Sequence, residues 1–120
     1  FCLSRGLGDV YKRQLENQLK QLHLEISNSL EQKHSIARCA KQLNISESYF
    51  QLIYKKLFGQ SFQQDLILMR VTRARFNLST SNLSLSQIAE LCGYNNEVHF
   101  YRQFKKLTGV TPAQYRKHPF

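Results

Sequence analysis

Apolar residues recur at three- and four-residue steps along most of this chain, broken by short polar stretches that carry serine, asparagine or glycine. Leu15, Leu19, Leu22, Ile26 and Leu30 predict a first amphipathic helix. Ser35 is placed to cap a second, with Ile36, Cys39, Ala40 and Leu43 inward. Ser46 is placed to cap a third, with Tyr49, Phe50, Ile53 and Leu57 inward, and Gly59 stands where that helix would close in a left-handed residue. A long helix restarts at Ser61 and runs through Phe62, Leu66, Met69, Arg70, Arg73, Ala74 and Leu78 to near Ser79. Ser84 and Gln87 have capping-box spacing ahead of Ile88, Ala89 and Cys92. Gly93 ends that helix, and Asn95 or Asn96 caps the next, which carries Phe100, Phe104 and Leu107 and stops at Gly109. Thr111 and Pro112 open a last short helix through Tyr115. Strand signals are scarce, and both prolines, Pro112 and Pro119, lie at the C-terminal end. The predicted fold class is all-α, with about seven helices.

The pattern occurs twice. Ala40, Leu43, Asn44 and Ile45 align with Ala89, Cys92, Gly93 and Tyr94, all 49 positions on. Past the turn, Phe50, Lys55, Lys56, Leu57 and Gly59 align with Phe100, Lys105, Lys106, Leu107 and Gly109, 50 positions on, so the second copy has one extra turn residue. Ser61 and Thr111 then coincide as caps. Two helices that cross steeply need a small residue at the crossing, here Ala40 and Ala89. A tight turn needs a residue that tolerates positive φ, here Asn44 and Gly93. An apolar residue must then seal the pair, here Ile45 and Tyr94. The helix that follows turns one face inward and its N-terminal side chains outward, which is the layout of a DNA-recognition helix.

Charge narrows the range of partners. The 120 residues include 17 Lys and Arg against 8 Asp and Glu, a formal net charge of +9 and a pI near 9.8. That excess favours a polyanion, and acidic membranes would satisfy it as well as nucleic acid. No apolar run approaches the roughly 20 residues of a membrane span. Cys2, Cys39 and Cys92 form no CxxC pair and suit a reducing, cytoplasmic setting. His23, His34, His99 and His118 show no metal spacing, and there is no glycine-rich phosphate loop and no nucleophile motif. The sequence therefore points to no enzyme, metal or cofactor.

Residues 1–14, FCLSRGLGDVYKRQ, have no helical period. Asp9 to Gln14 reads like a translated sequencing adapter, back-translating to a transposon mosaic end; the other reading is a natural basic tail. The segment is set aside from the fold, and the native start is expected to be missing. The predicted organisation is then 15–60 as a first helix-turn-helix subdomain, 61–79 as a linker helix and 80–120 as a second subdomain.

From about Leu19 to Arg116 the sequence resembles the DNA-binding domain of AraC/XylS-type bacterial transcription regulators. The likeness is clearest in IAELCGYNNEVHFYRQFKKLTGVTPAQYR, Ile88 to Arg116, and looser in LNISESYFQLIYKKLFGQSF. It implies two helix-turn-helix subdomains joined by a long helix, with both recognition helices in successive major grooves on one face of double-stranded DNA. A helix over 62–79 would be roughly 27 Å long, and adjacent major grooves on one face lie about 34 Å apart. The resemblance also implies promoter activation through RNA polymerase, in the cytoplasm on the nucleoid. Longer members of that family often add a sensing or dimerisation domain before this one, smaller members consist of this domain alone, and the domain is expected to act as a monomer on DNA.

The outward residues of the first recognition helix are Glu47, Ser48, Gln51, Leu52 and Lys55. Gln51 can pair bidentately with adenine. The family commonly has Arg where this chain has Leu52, which can pack on a thymine methyl or stay solvated. In the second recognition helix, Val98, Tyr101 and Arg102 are the expected base contacts. Arg102 matches the family's recurrent base-reading arginine. Ser46, Lys55, Arg73, Asn95, Asn96 and Lys105 are expected at phosphates. The lysines also complement their helix dipoles. Arg70 and Arg75 are further candidates for phosphate contact, with a structural ion pair to Asp65 or Glu90 as the favoured alternative for Arg70. A helical protein-interaction adaptor is the alternative function, and RNA binding is a lesser one.

Overall fold

Single polar side chains set most of the helix starts. In the computed structural model, which describes residues 2–119 with side chains from residue 8 onward, the Ser35 hydroxyl accepts the Arg38 amide and opens α2 (Ile36–Gln42). Ser46 accepts the Tyr49 amide and opens α3 (Glu47–Phe58). Reciprocal capping boxes, Ser84 with Gln87 and Thr111 with Gln114, open α5 (Leu85–Leu91) and α7 (Pro112–Lys117). Asn96, rather than Asn95, caps α6 (Glu97–Thr108), accepting the Val98 amide at 2.7 Å. With α1 (Cys2–Ser27) and α4 (Phe62–Thr80) these make seven helices, and there is no strand among the described residues.

The chain divides into two compact units. One comprises the chain up to Ser29 with His34–Phe62; the other comprises Leu30–Lys33 with the chain from Gln63 onward.

In the first unit, α1 buries Leu19, Leu22 and Ile26. Helix α2 buries Cys39 and Ala40, and packs on α3. Helix α3 buries Phe50 and Tyr54, both 0% exposed. Phe50, Tyr54 and Phe62 meet with ring centroids 5.3–5.7 Å apart. Burying each such ring contributes on the order of 1.5–3 kcal/mol, and the offset and edge-on contacts add to that.

Two features depart from the predicted pattern here. Tyr49, expected inward, is 44% exposed, and Tyr54 takes the core position instead. Helix α1 begins well before Leu15, although residues 8–14 are exposed throughout and bury nothing. Once the packed turns of a helix exist, each added residue costs little, so α1 extends without a core to drive it. The expectation for residues 1–7 lies outside the described side chains.

In the second unit the core is Val71, Ala74 and Leu78 of α4, Ile88 and Ala89 of α5, Cys92, Tyr94, Phe100 and Phe104 of α6, and Tyr115 of α7. Helix α4 is thus a structural member of this unit, while its first residue, Phe62, sits in the aromatic cluster of the first. Arg75 donates to the Tyr115 hydroxyl at 3.4 Å, with its guanidinium 5.6 Å from that ring. Arg116 donates to the carbonyls of Leu78 and Ser81 at 3.4 and 3.5 Å, tying α7 to the end of α4. Leu107, expected to point inward, is 50% exposed.

Candidate nucleic-acid interface

The two turns are built bond for bond alike. In the first, Asn44 donates its amide to Lys41 and Ile45 to Ala40, at 3.1 and 3.0 Å. In the second, Gly93 donates to Glu90 and Tyr94 to Ala89, at 3.0 and 2.9 Å. Each pair is a Schellman closure, in which a left-handed residue lets the chain reverse and satisfy the last carbonyls of a helix. Asn44 has φ +58° and Gly93 φ +90°. Among the described residues Asn44 is the one non-glycine at positive φ.

The corners are not equally tolerant. A Cβ at Gly93 would collide with the backbone carbonyl of Leu30 and come within 3.1 Å of Arg70 Nε. Glycine is therefore required at the second corner by space as well as by dihedral angle, whereas the first corner accepts a side chain. Gly59 and Gly109 close α3 and α6 in the same way, each in the left-handed region and each donating to a carbonyl four residues back, Lys55 or Lys105, at 2.8 Å.

Beyond each corner the recognition helix is fixed from below. Phe50 and Tyr54 anchor α3, and Phe100 and Phe104 anchor α6. Between these anchors Gln51 and Leu52 in α3, and Tyr101 and Arg102 in α6, are left uncovered. Ser48, Gln51, Leu52 and Lys55 form one exposed face of α3 at helical spacing, with Ser46 exposed at its start. Val98, Tyr101, Arg102 and Lys105 form the equivalent face of α6, with Asn95 and Asn96 exposed at its start. Each unit thus gathers its own set of predicted contact residues on one helix face. Arg73 is different: it lies on α4, exposed, and its charge acts on the Cys92 thiol.

The electrostatics of the two faces differ. Each helix has one acid in its first turn, Glu47 or Glu97, and two lysines in its last. These complement the helix dipole at both ends. Between those ends α6 has Arg102, while α3 has only Ser48, Gln51 and Leu52.

Three comparisons bear on what such a pair of faces belongs to. A family profile described as a helix-turn-helix domain matches residues 39–118, both turns included. The chain belongs to the AraC-type helix-turn-helix family. An uncharacterised HTH-type transcriptional regulator, YtdP of Bacillus subtilis (strain 168), is 32% identical over 107 residues, covering 89% of this chain and 13% of YtdP. The C-terminal domain of the response regulator yesN from Fusobacterium nucleatum superposes with a TM-score of 0.76 at 32% identity, covering 82% of this chain and 97% of that one. The DNA-binding domain of AdpA, a global transcriptional factor solved in complex with a target DNA, superposes with a TM-score of 0.79 at 27% identity, covering 82% and 89%. The chain spans well under half the length of the first curated relatives it matches.

Within this AraC-type frame the second unit holds a contact that the sequence reading missed. Tyr94 donates its hydroxyl to Gln103 Oε1 at 2.6 Å, fastening the corner to the recognition helix. The repeat carried the signal: the matching residues in the first unit are Ile45 and Ile53, so a polar pair replaces an apolar one at both positions together. Arg70 stands over the Tyr94 ring, 5.9 Å from its centroid, and its buried Nε has no hydrogen-bond partner. Arg70 therefore sits against Tyr94 inside the second unit. Burial pushes its pKa down, opposed by Tyr94 and Cys92. Burial likewise pushes Tyr94 up to about 12 and Cys92 up to about 11, each against the pull of nearby arginine. Arg70, Arg75 and Arg116 are thus engaged inside the second unit, which leaves Arg102 and the lysines of α6 facing out.

Proposed function

We propose that this chain binds double-stranded DNA in a sequence-specific way and regulates transcription, with α3 and α6 entering successive major grooves. The observation that carries this reading is the duplicated corner. Two helices are held by the same closure and by aromatic anchors at matching positions, and each leaves one face uncovered. A fold that spends its core on presenting two such faces, on a chain of net charge +9, is suited to a polyanion with two regularly spaced grooves. The solved AdpA domain in complex with a target DNA supports the same reading.

In this reading Gln51, Leu52, Ser48, Val98, Tyr101 and Arg102 face base edges. Ser46, Lys55, Arg73, Asn95, Asn96 and Lys105 face phosphates, helped by the free amides at the starts of α3 and α6. The domain works as a single copy, since it already holds two readers, and its target is the bacterial nucleoid. Contact with RNA polymerase, and a further domain in the whole protein, complete the picture by analogy with the family.

Fluorescence anisotropy with duplexes selected from a random pool tests the reading. The logarithm of affinity should fall with that of salt at a slope near −0.9 per phosphate contacted. A selected duplex should outcompete random duplex, and its two protected half-sites should lie about 10–10.5 base pairs apart. Binding without salt dependence or preference would instead favour a protein-interaction adaptor.

A further inference from the structure

We propose that the first recognition helix selects thymine through an apolar contact from Leu52, whereas the second selects its base by hydrogen bonds from Arg102. The proposal rests on the DNA-binding reading above and specifies the base chemistry of one half of that site.

The matched corners make the comparison of positions secure. Ser46 and Asn96 cap the two recognition helices, and Leu52 and Arg102 each lie six residues beyond their cap. The anchors keep the same register, Phe50 and Tyr54 in one helix, Phe100 and Phe104 in the other. Leu52 therefore projects from α3 where Arg102 projects from α6.

Leu52 is 54% exposed, and the core beneath α3 is already filled by Phe50 and Tyr54. A lone exposed leucine is ordinary on a protein surface. This one stands in the middle of the face that the duplicated fold presents, flanked by Ser48, Gln51 and Lys55. Docked in a major groove, a leucine side chain loses its water and can return no hydrogen bond. Against the acceptors of guanine, or the donor of cytosine, it would leave a polar base edge unpaired. The C5-methyl of thymine is the one major-groove group that gains from such a contact. Gln51, one residue earlier, supplies the hydrogen-bonding complement, with adenine as its bidentate partner. The first half-site should accordingly be A·T-rich, and the second should centre on a guanine facing Arg102.

Deoxyuridine differs from thymidine in the groove only by that methyl group, so it isolates the contact. The selected duplex is remade with deoxyuridine at each thymine of the first half-site in turn, and affinities are measured for the native chain and for Leu52→Ala. Leu52 is exposed, so the alanine variant keeps its core, and its thermal unfolding is recorded beside the native chain as a check. At one position the native chain should bind about fourfold more weakly, the size expected for one methyl removed from contact. Leu52→Ala should be indifferent to that change. Leu52→Arg should move the preference at that base pair toward guanine. If the native chain tolerates deoxyuridine at every thymine of a properly selected half-site, the proposal is overturned while the DNA-binding reading stands. If no duplex is selected over random sequence, the reading beneath it fails first.

Discussion

The two helix-turn-helix units share a backbone and differ in how they hold it. The first turns its corner on Asn44 and seals it with Ile45, with Ile53 at the matching place in the helix that follows. The second turns on Gly93, seals with Tyr94, and locks the hydroxyl of that residue onto Gln103. Backbone hydrogen bonds at the two corners nevertheless agree within 0.1 Å. What the fold demands at a corner is one left-handed residue and one side chain that closes the gap. Whether the closure is apolar or hydrogen-bonded is open. The outward faces have diverged furthest, Leu52 against Arg102 and Gln51 against Tyr101, because nothing in either core constrains them.

The corners should break unequally. Gly93→Asn copies the residue of the first corner into the second, where its Cβ meets the Leu30 carbonyl. It should cost about 2–4 kcal/mol of stability, from backbone collision added to left-handed strain. The reverse change, Asn44→Gly, should stay within about 1 kcal/mol. Chemical denaturation of both variants decides, and equal losses would mean that the close approach to Leu30 is unimportant.

The faces should differ in binding rather than in folding. Arg102→Ala should weaken binding to the selected duplex by about 1–3 kcal/mol and relax preference at one base pair, with little change in melting temperature. An unchanged motif would show that Arg102 faces a phosphate or solvent.

The seal of the second corner is the smaller test. Tyr94→Phe removes the hydrogen bond to Gln103 and should lower stability by about 1 kcal/mol. The same variant carrying Gln103→Ile, which imports the apolar solution of the first unit, should recover part of that loss. A double variant no better than the single one would mean that the two seals are not interchangeable.

Alkali should also find the second unit. Its buried Cys92 and Tyr94 are raised from 9.0 to about 11 and from 10.0 to about 12. Both are neutral when protonated, and the unfolded chain releases those protons at lower pH than the folded one. Their contribution is therefore complete below about pH 9 and is lost as pH rises through 11 to 12. Tyrosinate absorbance and helical circular dichroism should change together in that range, and Tyr94→Phe should lessen the dependence.

Much of this was legible in the sequence because it resides in local chemistry. The caps Ser35, Ser46, Ser84 and Thr111, the left-handed corners and the two glycine stops each follow from one or two residues. The misses arose where tertiary context chooses between similar side chains. Tyr49 and Tyr54 are chemically alike, and either fits an inward face of α3. The repeat could have chosen, since Tyr54 aligns with Phe104, a core residue, and Tyr49 aligns with His99, an exposed one. Leu57 borders a groove shared with α1, whereas its counterpart Leu107 stays half uncovered at the end of α6. Arg70 could not be placed from sequence, because its surroundings, Tyr94 and the Leu30 carbonyl beside Gly93, come from segments far apart in the chain.

The most direct measurement is selection of duplexes from a random pool by the native chain, followed by competition between selected and scrambled sequences at fixed salt. Two enriched half-sites about one helical turn apart, with the scrambled duplex at least tenfold weaker on the order expected for specific binding, is the predicted result. Enrichment of a single half-site, or a scrambled duplex that competes as well as the selected one, would contradict the idea of two readers on one duplex.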